Sequence, residues 1–165
     1  MICYVPAETK PGEPRAALTP ATTQALTRLG FTVHAQAGLG RASLYADADY
    51  AAAGATLVED HAAALGAADL VLRVRKPALE EIAQLKRGAW HVSFFDPFNE
   101  PEWTAAFVAA GVSAVSLEMV PRTTLAQKMD AQSSQASLAG YAAVIQAAAR
   151  LRMALPMMMT PAGTL

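Results

Sequence analysis

Cysteine is almost missing from this chain. The single thiol, Cys3, excludes an internal disulfide and suits a reducing compartment, and inside a short apolar strand it reads as core rather than nucleophile. Histidine is scarce too, and His34, His61 and His91 are spaced too widely for a zinc pattern. His91 falls inside a strand and reads as a satisfied polar group of the core. Charged residues are 16% of the 165 positions, with a formal net charge of −1 and a pI near 6.3. Neither sign dominates enough to draw a nucleic acid or an anionic membrane surface. The longest weakly polar run, Leu138 to Ala149, stops at Arg150 and Arg152, short of the ~20 residues that a membrane span needs. The amino-terminal MICYVPAETK has neither the apolar length nor the basic flank of a signal peptide. These absences describe a soluble chain whose membrane connection, where there is one, runs through a partner. Also missing is the glycine-rich turn of a dinucleotide fingerprint. Gly38-Leu39-Gly40 has no third glycine and no apolar helix after it, so it reads as a structural turn.

What is present is a core. Hydrophobic residues make up 53% of a chain of one-domain length. Strand and helix signals alternate along it. Strands are expected at Ile2–Val5, Phe31–Gln36, Ala55–Val58, Asp69–Val74, Trp90–Phe95 and Val112–Leu117. Between them come a helix opened by Thr19-Pro20 and closed at Gly30, and helices at Asp47–Ala53, Asp60–Leu65, Leu79–Leu85 and Glu100–Ala110. A long alanine-rich helix from about Ser134 to Met153 follows, and the uncharged LPMMMTPAGTL reads as a linker or tail. Repeated strand–helix units with helix-ending glycines indicate an α/β fold: a parallel sheet in three layers, Rossmann- or flavodoxin-like. Ligands of such sheets bind beyond the carboxyl ends of the strands, so the loops after Val5, Val74, Phe95 and Leu117 should share one edge.

Several charged groups lie on that edge. Glu8, Lys10, Glu13 and Arg15 crowd the first loop, where a solvated charged loop is the default and an Arg15 that holds a carboxylate or phosphate is the functional alternative. Arg73, Arg75 and Lys76 close the DLVLRV strand, either as solvated termini or as ligand contacts; Arg15 and Arg75 are the candidates for the ligand edge. The densest constellation is Pro121 to Tyr141, where Arg122, Gln127 and Asp130 share one loop between a strand and a small-residue helix. A guanidinium, an amide and a carboxylate together suit a ligand with phosphates, hydroxyls and a carboxamide. Equally, Arg122 could pair with Asp130 to order the loop, and Asp130 could cap the next turn.

The segment PRTTLAQKMDAQSSQASLAGYAAV resembles the NAD-binding alpha subunit of proton-translocating nicotinamide nucleotide transhydrogenases, in which a PR-x-x-x-A-Q-x-x-D-x-x-S-S loop marks the NAD(H) site. Supporting segments are the E-x-R-x-A-x-TP run from Glu13 to Pro20, LGFTV, AGLG, Ala53-Gly54-Ala55 and VSFFDPFNEPE. The resemblance covers residues 1–150 and implies that Arg122, Gln127, Lys128, Met129, Asp130 and Ser133 bind NAD(H), with no catalytic acid or base and no metal. It implies hydride transfer from NADH to NADP(H) carried by a partner subunit, coupled to proton translocation. It also implies membrane and NADP-binding partner subunits, a homodimer, and a cytoplasmic place peripheral to the inner membrane without insertion into it. Residues 151–165 would lead to a second, dinucleotide-binding domain that this sequence lacks, so the isolated chain is expected to be incomplete and inactive. Alanine dehydrogenases share the Glu13–Pro20 pattern, but where they place a lysine and a histidine this chain has Arg75 (Lys76 is one residue off) and Asp96. A one-residue slip in a strand would turn Lys76 to the other face. An alanine dehydrogenase domain and a non-catalytic α/β docking module are the alternative readings.

Overall fold

The computed structural model describes residues 1–151, 159–160 and 163–164, and the chain divides into two compact units, Met1–Met119 and Val120–Leu165. In the first unit, β1 (Ile2–Val5), β2 (Thr32–Gln36), β3 (Thr56–Val58), β4 (Leu70–Arg75), β5 (Trp90–Phe94) and β6 (Ser113–Ser116) form one parallel sheet. The order β3-β2-β1-β4-β5-β6 reverses direction between β1 and β4. Those two strands part at their carboxyl ends, which opens the crevice typical of a topological switch point.

Alternation along each strand sends residues to two cores. On one face Cys3, Val5, Val33 and Ala35 pack with Leu39 and Tyr50, under α1 (Pro20–Arg28) and α2 (Asp47–Ala52). On the other, Tyr4, Val71 and Phe95 pack with Leu65, Ile82 and Phe107 from α3 (His61–Ala67), α4 (Leu79–Ile82) and α5 (Pro101–Ala110). The three layers expected from the sequence are present. Burial pushes the Cys3 thiol up to about 11, as befits a core residue rather than a nucleophile.

Helix starts follow local chemistry. Thr19 Oγ1 accepts the Thr22 N–H at 3.3 Å while Thr22 Oγ1 accepts the Thr19 N–H at 2.8 Å, a capping box with Pro20 behind it. α4 is shorter than the sequence suggests, because Gln84 and Leu85 bond back to Glu81 and Ile82, three residues away, and the helix closes as a turn. Short 3₁₀ turns at Arg41–Ser43 and Leu117–Met119 had no sequence signal, and the second shortens the expected last strand.

The second unit contains α6 (Ala131–Arg150) and a two-residue antiparallel pair, β7 (Met159–Thr160) with β8 (Gly163–Thr164). α6 begins three residues earlier than Ser134, since Asp130 supplies its N-cap. The expected helix end at Met153, and most of the expected linker, lie outside the described residues. Among the described residues no helix is long and apolar enough to cross a membrane.

Gly38 and Gly40 are structural, as the sequence indicated. Gly38 has φ +81° and donates its N–H to both Asp47 carboxylate oxygens, at 2.9 and 3.1 Å. A Cβ on Gly40 would lie 2.6 Å from Tyr50 Cε2 and 2.7 Å from Tyr45 Cβ. Gly40→Ala is therefore expected to destabilise the chain by about 1–3 kcal/mol in urea unfolding. Gly140→Ala, with nothing within 4 Å in α6, should leave stability unchanged or raise it.

Candidate functional site

The carboxyl edge of the sheet holds a cleft of about 490 Å³, walled by Glu8–Lys10 after β1, Arg75–Ala78 after β4, Phe94–Asp96 after β5 and Glu118 after β6. The four loops expected to share an edge do share it. Glu8 closes the crevice floor. The β1–β4 ladder ends at Tyr4 and Val71, and the Glu8 carboxylate then accepts the Val74 N–H at 2.6 Å and the Arg75 N–H at 3.1 Å. Burial raises the Glu8 carboxyl above its ordinary range against the pull of those two bonds.

Glu13 is the second fixed carboxylate. Its side chain is only 3% exposed and carries two arginines: Arg15 as a fork at 2.6 and 2.5 Å, and Arg75 through Nε at 2.7 Å. Arg15 does hold a carboxylate, and it is the chain's own. Glu8 and Glu13 thus correct the default reading of a solvated loop, because their partners lie in β4, more than sixty residues away in sequence. Lys76, beyond the end of β4, lines the same cleft as Arg75, so strand alternation does not turn it away. Its ammonium pairs with Glu100 and lies 3.4 Å from the centre of the Trp103 ring, whose Nε1–H is tied to the Pro77 carbonyl at 2.8 Å. Asp96 adopts a left-handed backbone (φ 47°) and receives the Asn99 amide on both oxygens, at 3.0 and 2.9 Å.

Beneath one wall runs a polar chain that sequence reasoning missed. Arg73 is buried and donates to Glu81 Oε1 at 2.9 Å, His61 Nε2 meets the same oxygen at 2.7 Å, and His61 Nδ1 meets the Tyr4 hydroxyl at 2.8 Å. Burial opposes ionisation of Glu81, but Arg73 and the Ala78 N–H outweigh it and hold the carboxyl below its usual value. An ionised Glu81 only accepts, so a neutral His61 carries its proton on Nε2, and Tyr4 donates to Nδ1. His91 is wholly buried, and its pKa falls to about 3 through desolvation and then Arg73. Its Nε2 lies 3.0 Å from the Ser93 hydroxyl, while Nδ1 has no partner among the described residues; it is half satisfied, not fully satisfied as expected.

In the second unit, residues 121–130 form successive tight turns, with Ala126 bonded to Thr123, Met129 to Ala126 and Ala131 to Met129. Asp130 caps α6: Oδ1 accepts the Ser133 N–H at 2.8 Å, and the Ser134 hydroxyl donates to the Asp130 carbonyl at 3.1 Å. The Ser133 hydroxyl first, then its N–H, hold the Asp130 carboxyl below the usual range, with Arg122 adding its charge. The direct Arg122–Asp130 hydrogen bond considered from the sequence does not form. Arg122 Nη2 donates instead to Gln132 Oε1 at 3.1 Å. Gln127, Lys128 and Met129 are exposed, and among the described residues their side chains make no hydrogen bond. The loop therefore presents a guanidinium, an amide and an ammonium outward from a capped helix start. These donors fit phosphate and carboxamide oxygens.

The family model described as alanine dehydrogenase/PNT, N-terminal domain, matches residues 4–139. An NAD(P) transhydrogenase subunit alpha chain from Rhodospirillum rubrum is 38% identical over 165 residues, covering 97% of this chain and 43% of that protein. A transhydrogenase structure from Sinorhizobium meliloti superimposes with a TM-score of 0.89 at 42% identity, over 100% of this chain and 49% of its own. An L-alanine dehydrogenase structure follows at a TM-score of 0.68 and 28% identity, over 73% of this chain and 33% of its own. The chain spans less than half the length of these relatives.

Glu13, which holds Arg75 from behind the cleft wall, carries a pH signature. Hydrogen bonds from Arg15, and after them Arg75, lower its carboxyl from 4.5 to about 2. A carboxyl depressed by folding stabilises the native state fully above its unfolded value and loses that contribution as pH falls through the folded one. Glu8, raised by burial, acts in the opposite sense. The stability gap between the wild-type chain and Glu13→Gln, from urea unfolding, should stay constant above about pH 5 and narrow steadily toward about pH 2. A gap that held its size throughout would mean that the two arginines do not stabilise the ionised form.

Proposed function

The chain belongs to the alanine dehydrogenase/PNT N-terminal domain family, and on that premise we propose that it is part of the NAD(H)-binding subunit of a proton-translocating transhydrogenase. The observation that carries this reading is the loop at 121–133, with Arg122, Gln127 and Lys128 outward and Asp130 and Ser133 fixing the helix behind it. In this reading Arg122, Gln127, Lys128, Met129, Asp130 and Ser133 bind the nucleotide. Residues 1–150 form the first domain of the parent subunit, and 151–165 lead toward its dinucleotide-binding domain. NADP(H) sits on a partner subunit, the subunit is a homodimer, and it lies on the cytoplasmic side against membrane partners.

Bound NADH supplies the hydride. The chain's own contribution is geometric. Arg122 offers its fork to an anionic oxygen, and Gln127 offers both a donor and an acceptor to a carboxamide or a ribose hydroxyl. Asp130, committed to the helix cap, sets the direction of the loop rather than moving a proton. Hydride passage between two nicotinamides needs no acid or base, so orientation accounts for most of the rate. The alanine dehydrogenase reading ranks second because the places where those enzymes put a lysine and a histidine hold Arg75 and Asp96 here, and an arginine does not give up its proton. Arg75 is held by Glu13, Lys76 by Glu100 and Trp103, and Asp96 by Asn99.

Calorimetric titration of NADH into this chain and into the full-length subunit tests the reading. Binding by the full-length subunit supports it; binding by neither leaves a non-catalytic docking module. Within the full-length subunit, Gln127→Ala should lower kcat about tenfold or more while the NADH Kd changes less than about threefold. Equal losses in both would remove the orienting role.

A further inference from the structure

We propose that Gln132 is the positioning residue for Arg122, holding its guanidinium in place without neutralising it; the proposal rests on the reading that the 121–133 loop binds a nicotinamide nucleotide. Gln132 is the second residue of α6, whose first turn is fixed by the Asp130 cap. From there its amide oxygen reaches back across ten residues to accept Arg122 Nη2 at 3.1 Å, tying the two ends of the loop. The bond restrains a long side chain before any ligand arrives, and so lowers the ordering cost of binding.

The chemistry of the acceptor matters as much as its position. In the first unit the Glu13 carboxylate takes both Arg15 and Arg75, and a carboxylate so placed cancels charge as it orients. In the second unit the nearby carboxylate, Asp130, accepts from Ser133, and Arg122 is bonded by a neutral amide. An amide oxygen fixes one N–H of the fork and leaves the positive charge whole for an anion. The ligand group that this arrangement suits is a phosphate oxygen of the dinucleotide.

The test uses the full-length subunit, with NADH as the calorimetric probe and thermal unfolding as the folding control. Arg122→Ala should weaken NADH binding by roughly tenfold or more. Gln132→Ala should weaken it by about three- to tenfold, and the loss should vanish when Arg122 is already alanine. Gln132→Glu separates positioning from mere tethering. A glutamate would hold Arg122 at least as firmly but take its charge, so NADH binding should fall rather than recover. Wild-type affinity in Gln132→Glu, unchanged affinity in Gln132→Ala, or an undiminished Gln132→Ala loss in the Arg122→Ala background would each overturn the proposal while leaving the loop's nucleotide role intact. An Arg122→Ala variant with wild-type affinity would remove both the proposal and the role of Arg122 in the site.

Discussion

Two backbone N–H groups, those of Val74 and Arg75, govern the carboxyl edge of the sheet. β1 and β4 stop pairing at Tyr4 and Val71, as strands must when the sheet changes winding direction between them. Donors left at such a divergence need partners. Glu8 supplies both acceptors from the first loop, so the loop is pinned to β4 by a side chain acting as a missing strand. Once Arg75 is fixed at its backbone, its Nε meets Glu13, and Glu13 in turn gathers Arg15. The cleft's walls are the outcome of this sequence of satisfied groups. The two carboxylates that build it sit in opposite electrostatic states, one penalised by burial and the other favoured by two cations.

The face below the cleft is tied by a longer path. Ala7 donates to Gln36 at 2.9 Å, Tyr4 bonds His61, His61 bonds Glu81, and Glu81 accepts the Ala78 N–H at 2.8 Å. Ala7 opens the first loop and Ala78 opens α4, so both walls are anchored to one polar network beneath the sheet. A buried arginine is costly unless it is paired, and Arg73 is paired with Glu81 at its Nη2. Burial and the nearby guanidinium together keep His91 neutral. Burial likewise pushes the Tyr4 hydroxyl up to about 12, so it remains a donor across the ordinary pH range.

What was legible in the sequence was what local chemistry decides. Thr19-Pro20 with Gly30, Asp60, and the span Glu100–Ala110 marked helix ends that the structure places within a residue or two. The shared edge of four loops followed from the parallel topology without any long-range information. Long-range pairing was not legible: no spacing rule links Glu8 to Val74 or Glu13 to Arg75, and without those partners both carboxylates looked solvated. The tie from Arg122 escapes a sequence reading for a related reason. Asp130 is the stronger acceptor by charge, but a helix cap claims it first, and Gln132 is left to take the arginine. The residues of the loop were readable as a set; their division of labour is decided by which acceptor the helix cap claims.

That division bears on the proposed reaction. A group that transfers a proton must exchange partners during turnover, whereas a group that orients a ligand works best when its own freedom is already spent. In the cleft, Arg75, Lys76 and Asp96 are held by ion pairs and amide contacts that would have to break before any of them could act on a substrate. In the loop, the fixed groups are Asp130 and Ser133, which set the backbone, while Gln127 and Lys128 face outward with their hydrogen-bonding capacity intact. Rates that depend on the separation and angle of two rings are lost through small misplacements, so rigidity behind the contacting side chains counts for more than the strength of any one contact. Among the described residues the 121–133 loop is tightly turned and capped, an arrangement that suits the orienting role proposed for it.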